Sequence, residues 1–223
     1  MNPSPLRVAA LAAAVAVVGL IGLVAVFDGA ETYRDIARAG GITGAEFHAP
    51  PDLVWRTDLN GLVELHRRTL AYVLGDAPGL PTFATTERPL FDDNERAHMA
   101  DVRAVFQATK VAFAAGLVLL IGVLRWTDRA QRTRLVRDAA IVAGVGVSLL
   151  AIAAAVAFDR LFLLFHELFF PQGNFLFGPD SNLLALYPDG YWYGVTFQIG
   201  LAFVTVMAII ALAASATLRR ARR

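Results

Sequence analysis

The stretch Gly194–Leu218, GVTFQIGLAFVTVMAIIALAASATL, runs twenty-five residues without one ionisable side chain. At about 1.5 Å rise per residue, a helix of that length exceeds the ~30 Å hydrocarbon core of a bilayer. Two more stretches, Val8–Phe27 and Ala139–Phe158, are twenty uncharged residues each. A fourth, Val105–Trp126, is apolar except for Lys110 and Arg125 near its ends. Long basic side chains at helix ends reach back to the interface. The expected fold class is therefore an all-α membrane protein, a bundle of four transmembrane helices. The first span has a thin basic flank, Arg7 alone, and is longer than the ~7–15-residue apolar region of a signal peptide, so it reads as an uncleaved anchor.

Composition agrees. Apolar residues make up 57% of the 223 and charged residues only 17%, against about 25% charged in an average globular chain. There is no cysteine, which excludes disulfides, a thiolate nucleophile, an iron–sulfur cluster and cysteine-ligated zinc. A net charge of +1 provides no global basic field, so no nucleic-acid partner is expected. No phosphate-binding glycine motif appears, which argues against nucleotide chemistry.

The small net charge hides segregation. The segments 1–7, 125–138 and 219–223 hold ten Arg against two acids. The segments 28–104 and 159–193 hold nine Arg against seventeen acids. The excess of basic residues in short loops beside spans marks the cytoplasmic side. The chain thus divides into residues 1–27 (cytoplasmic N-terminus and first span), 28–104 (outer segment), 105–126 (second span), 127–138 (cytoplasmic loop), 139–158 (third span), 159–193 (outer, interfacial segment), 194–218 (fourth span) and 219–223 (cytoplasmic tail). Both termini are expected in the cytoplasm. All four His, at 48, 66, 98 and 166, fall outside, and so does the expected chemistry.

The first outer segment is too short for a large core of its own and is expected to form an extracytoplasmic cap on the bundle. It breaks at Gly40-Gly41 and Pro50-Pro51. Leu59 to Leu74 then shows the spacing of an amphipathic helix, with His66 on its apolar face. Asp92, Asp93 or Asn94 is placed to cap a helix continuing into the second span. On that helix Glu95, His98 and Asp101 share one face, where carboxylates orient an imidazole and raise its basicity. The second outer segment is crowded with aromatics around His166-Glu167. It reads as interfacial or lipid-facing, and an ionisable pair there costs desolvation energy. His98 lies about seven and His166 about eight residues beyond the apolar edges of their spans. On continuous helices both would sit roughly 10–12 Å out, at one level. His48 and His66 read as structural. Arg160 reads as an interfacial anchor or partner of Asp159, with contact to a substrate oxygen the sharper alternative. Glu167 reads as a tether for His166.

The pair of motifs Glu95-x-x-His98-Met99-x-Asp101-Val102 and Phe158-Asp159-x-x-Phe162-x-x-Phe165-His166-Glu167-Leu168-Phe169-Phe170, with Pro179-Asp180 and Leu186-Tyr187-Pro188 further on, resembles the bacterial lipoprotein intramolecular transacylases. The resemblance extends to the four-span topology, with a long first outer loop and an aromatic second one. It implies an enzyme of the cytoplasmic membrane acting on diacylglyceryl-modified lipoproteins, in contact with membrane lipids. The reaction it implies moves the acyl chain from the glyceryl sn-2 ester to the α-amine of the N-terminal Cys, giving an N-acyl lyso-lipoprotein. By motif match His98 and His166 would be catalytic; Glu95, Asp101, Glu167 and Arg160 are supporting candidates from their positions beside those histidines, not from the motif match.

The residues suit that chemistry. An O-to-N acyl shift uses the substrate's own amine as nucleophile, so neither Cys nor a Ser elbow is required. It needs a base, an acid and oxyanion donors, and imidazole serves the first two. No cofactor or metal is called for. Two alternatives stay open: a zinc-dependent membrane hydrolase using His98, His166 and a carboxylate, and a non-enzymatic scaffold that binds lipid or a partner.

Overall fold

Four helices of the computed structural model are long and apolar enough to cross a membrane. They are α1 (Pro5–Phe27), α4 (Asp93–Arg125), α5 (Arg129–Phe169) and α7 (Asp189–Arg220). Between α1 and α4 lie α2 (Ala30–Ala39), β1 (Gly44–Ala49), β2 (Leu53–Asp58) and α3 (Leu59–Leu74), and α6 (Asn182–Leu186) precedes α7. The structure describes residues 3–49, 52–84 and 86–221. The expected break at Pro50-Pro51 and the last two arginines of the tail lie outside them.

The chain forms two compact units. One comprises Met1–Val26, Thr109–Ala157 and Phe197–Arg223. Its buried centre is Leu11, Leu135, Ala139, Ala140, Ala143, Phe203 and Met207, small residues alternating with a few large ones. Small side chains let helix backbones approach in lipid, where contact rather than water exclusion holds helices together. Gly19 shows this: a Cβ there would lie 2.8 Å from the Phe203 ring. The outward faces carry exposed Val118, Leu149 and Leu201, and a helix that is apolar all round belongs in lipid.

The other unit comprises Phe27–Ala108 and Phe158–Thr196. Helix α3 covers the amphipathic stretch read from the sequence, with Leu62, Val63, Leu65, His66, Thr69 and Val73 buried. Asp58 caps its N-terminus by accepting from Gly61 N at 2.9 Å. The start of α4 is capped by Asp92: its Oδ1 accepts from Glu95 N at 2.8 Å, while Glu95 Oε2 accepts from Asp92 N at 2.9 Å. These reciprocal bonds form a capping box, which satisfies backbone donors that a helix start otherwise leaves unpaired.

Two features depart from expectation. The antiparallel hairpin β1–β2, with Gly44 opposite Asp58 and Phe47 opposite Trp55, adds a small sheet to a fold read as all-α. Six-residue strands in a charged segment give little periodicity. The hairpin is held from outside itself, by Asn182. The amide of Asn182 accepts from His48 N at 2.8 Å and donates to His48 O at 2.7 Å and Leu90 O at 2.6 Å. Nor is α5 continuous: Ala157 has φ −142° and ψ 47°, a kink between residues 129–156 and the segment carrying His166.

Candidate active site

His98 stands in the first turns of α4 and His166 near the end of α5, in the same unit. Their ring centroids are 6.0 Å apart and nearly parallel, at 21°. Phenylalanine surrounds both. Phe170 lies 4.8 Å and Phe177 5.5 Å from His98. Phe162 lies 4.2 Å, Phe175 5.2 Å and both Phe165 and Phe170 5.5 Å from His166. Beside this cage Leu164, Phe165, Leu168, Phe169 and Leu176 are exposed, Leu168 to 72%. The apolar surface is therefore continuous with the walls of the site.

The polar bonds at the two rings decide their chemistry. His166 Nδ1 lies 2.8 Å from the Phe162 carbonyl. A carbonyl only accepts, so Nδ1 carries the proton and the neutral ring keeps its lone pair on Nε2. His98 is only 5% exposed, and its Nδ1 is buried without a hydrogen-bond partner of ordinary geometry among the described residues. Both rings lie outside residues 105–126 and 139–158, the stretches expected from the sequence to span the membrane, and both are held below the ordinary imidazole range. For His98 burial is the main cause and charge repulsion from His166 the second, opposed by Asn174 and Asp101. For His166 burial is again the main cause, opposed by the bond to Phe162. The pair is thus neutral near pH 7 and holds one proton more readily than two.

The other sequence candidates are distributed unevenly. Asp101 sits beside the pair but bonds elsewhere: its Oδ2 accepts from Gln172 Nε2 at 2.5 Å and Asn174 Nδ2 at 2.7 Å. Glu95 is 1% exposed and works as a tie. Beyond the capping box, its Oε1 accepts from Ser181 Oγ at 2.5 Å and Leu183 N at 2.8 Å. Ser181 Oγ in turn caps α6 by accepting from Leu184 N at 3.2 Å. Glu167 and Arg160 are exposed, and among the described residues neither bonds to His98 or His166. The tether read for Glu167 is supplied instead by the backbone of Phe162, one turn back on the same helix.

Sequence reasoning missed Gln172, Asn174, Ser181 and Asn182. The signal for the first two is Gly173 between them, whose φ of 78° lets the chain reverse so that both flanking amides reach Asp101. That left-handed conformation is open to glycine and strained for other residues. Among the described residues no three His, Asp or Glu side chains group so as to hold a metal ion.

Fold and site together describe a four-span membrane protein that holds an imidazole pair in an apolar cage. The family model for the lipoprotein intramolecular transacylase Lit matches residues 59–192, more than half of the chain, and the chain belongs to that family. Among solved structures it is similar to the membrane-integral lipoprotein intramolecular transacylase Lit from Bacillus cereus, at 15% identity and a TM-score of 0.74, covering 97% of this chain and 96% of that one. Two further structures of the Bacillus cereus protein carry one histidine replaced by arginine or by alanine. Each is 14% identical with a TM-score of 0.70, covers 97% of this chain, and is covered to 92% and 94%. At such identities the likeness is one of fold. A search of curated proteins gives no match.

Proposed function

We propose that this chain transfers the sn-2 acyl group of a diacylglyceryl lipoprotein to the α-amine of the lipoprotein's N-terminal Cys. The observation that carries the reading is the His98–His166 pair, 6.0 Å apart in a cage of phenylalanines. His166, with Nδ1–H given to Phe162, offers Nε2 as the base that takes a proton from the substrate ammonium. The freed amine attacks the ester carbonyl, the C–N bond forms, and the tetrahedral adduct expels the glyceryl oxygen. Nitrogen loses two protons between ammonium and amide. One reaches the departing oxygen through the imidazole pair and the other leaves to water, so the balance closes without a cofactor. Both reacting groups ride on one substrate, so holding them together supplies much of the rate. The cage and the exposed Phe165, Leu168 and Phe169 suit the acyl chains of a substrate arriving through the bilayer.

The same reading places both termini and residues 127–138 in the cytoplasm and the imidazole pair outside, with residues 28–104 as an extracytoplasmic cap. The arginine bias supports it. Because the chain lacks cysteine, single cysteines at Asn60 and Thr133 report topology directly. A membrane-impermeant maleimide should label the first in intact cells and spare the second.

The activity test is mass spectrometry of lipoprotein N-terminal peptides from membranes with and without this protein. N-acyl lyso-peptides should appear only with it, and chelators should leave their yield unchanged. Loss on chelation, restored by zinc, would favour a metal-dependent hydrolase.

A further inference from the structure

Asp101 and Asn174 are hydrogen-bonded to each other beside His98. The carboxylate of Asp101 accepts from Asn174 Nδ2 at 2.7 Å, and Gln172 Nε2 donates to the same oxygen at 2.5 Å. A carboxylate only accepts, so the amide nitrogen of Asn174 must face it. Oδ1 then faces the other way, and it is buried without a partner. Among the described residues the one buried side-chain nitrogen without a partner is His98 Nδ1, and the Asn174 side chain lies close enough to favour a proton on that ring. A buried acceptor and a buried nitrogen left unpaired both carry a desolvation penalty, and a proton on Nδ1 shared with Oδ1 would settle both.

We propose that Asp101 and Asn174 are positioning residues, which fix His98 in its Nδ1–H tautomer so that Nε2 is its working nitrogen. His166 is fixed in the same tautomer by a different acceptor, the Phe162 carbonyl. The two imidazoles then present equivalent nitrogens to one substrate, which suits a proton passed from one to the other. Asp101 acts through Asn174 and touches no reacting atom. The inference rests on the transacylase reading for its rate consequence, though not for the tautomer itself.

The experiment is therefore double. In the full-length protein in detergent, ¹⁵N NMR of labelled histidine reads the tautomer of His98 without any substrate. Wild type should show Nδ1 protonated and Nε2 bare. Asn174→Leu should shift the population toward Nε2–H. In assays with a diacylglyceryl lipopeptide, Asn174→Leu and Asp101→Leu should lower kcat about 10–100-fold with KM nearly unchanged, since outer-shell partners of a working imidazole are worth that much elsewhere. The charged and titratable groups facing His98 are His166 and Asp101. Losing Asn174 removes a group that favours its proton, so the acid limb of the kcat profile should move to lower pH. The exchanged pair Asp101→Asn with Asn174→Asp keeps a donor-to-acceptor chain and brings the carboxylate next to His98. It should recover kcat to within a few-fold and move the limb to higher pH. An unchanged tautomer in Asn174→Leu, or an exchanged pair no better than the single changes in a protein that elutes as wild type, overturns the positioning. A wild-type protein with the expected tautomer and no acyl transfer leaves the positioning standing and removes the transacylase reading.

Discussion

Two buried histidine environments sit in one unit of this molecule, and they are built oppositely. His66, 1% exposed, is surrounded by tyrosines. Its Nε2 donates to the Asp28 carbonyl at 3.2 Å, so its Nδ1 accepts from Tyr187 OH at 3.1 Å. Tyr33 stacks on the ring at 4.6 Å and 15°, and Tyr33 OH donates to Leu186 O at 2.7 Å. Burial pushes the His66 pKa down to about 4. Each ring nitrogen has a partner, so nothing is left over for chemistry. His98 and His166 are walled by phenylalanine, which cannot bond to a nitrogen, and each ring has at most one acceptor. The difference teaches how a fold separates structure from reactivity. Satisfied nitrogens fix an imidazole as a strut, whereas nitrogens left without partners among apolar rings keep their bonding capacity.

The sharpest way to break this comparison is to delete each imidazole in turn. His98→Ala or His166→Ala should cut acyl transfer ~10²–10⁴-fold, the usual worth of general acid–base catalysis, while the protein stays folded in the membrane. Mass spectrometry of N-terminal lipopeptides reads the loss, and retained transfer in both variants would falsify the dyad. His66→Ala should do the reverse. It strands Tyr187 OH and the Asp28 carbonyl and removes a stacked ring, costing about 2–4 kcal/mol of stability by the usual penalties for unpaired buried groups. A lowered unfolding midpoint with an unchanged rate per folded molecule is the expected result.

Acid should discriminate more gently. Both imidazoles of the His98–His166 pair are depressed below the ordinary 6.5, so a neutral base should persist at neutral pH and be lost only as pH falls through those lowered values. The kcat/KM profile should hold flat above 6.5 and drop tenfold per unit on its acid limb below it. A limb centred above 6.5 would contradict the apolar cage.

Asp28 offers a smaller test on the tyrosine side. Its pKa is raised to about 6 from 3.8, chiefly by burial and against the bond from Tyr191 OH at 3.0 Å. A raised carboxyl destabilises the fold where it is ionised. That cost is absent below 3.8, grows up to about 6 and is full above it. Asp28→Asn keeps an acceptor for Tyr191, so its unfolding midpoint should exceed wild type above pH 6 and match it near pH 4. The smallest effect belongs to His48, whose exposed ring meets Glu46 at 3.2 Å. His48→Ala should change stability by less than ~1 kcal/mol, as surface ion pairs do, and leave transfer untouched.

The four spans, the helix over 59–74 and a cap at Asp92, Asp93 or Asn94 were legible in the amino-acid sequence, and the structure singles out Asp92. Each depends on a local cause: twenty or so uncharged residues, a helical apolar period, a side chain three residues from the amide it satisfies. His98 and His166 were legible as a pair from their motifs and from similar distances to the span edges. What each neighbour does was not. Glu95 shares a helix face with His98 in the linear pattern, yet its oxygens are consumed by Asp92, Ser181 and Leu183. Ser181 and Leu183 come from more than eighty residues away. Glu167 adjoins His166 in sequence, and a helix sends adjacent side chains to different faces. The hairpin is clamped by Asn182, 134 residues from His48. Asn174 and Gln172 both reach Asp101, beside His98, because Gly173 between them turns left-handed. Sequence alone determined what is governed by hydropathy and by neighbours within a turn. Tertiary structure decided which polar atoms are already bonded, because a hydrogen bond needs both partners placed to within a few tenths of an ångström, and here the partners come from distant parts of the chain.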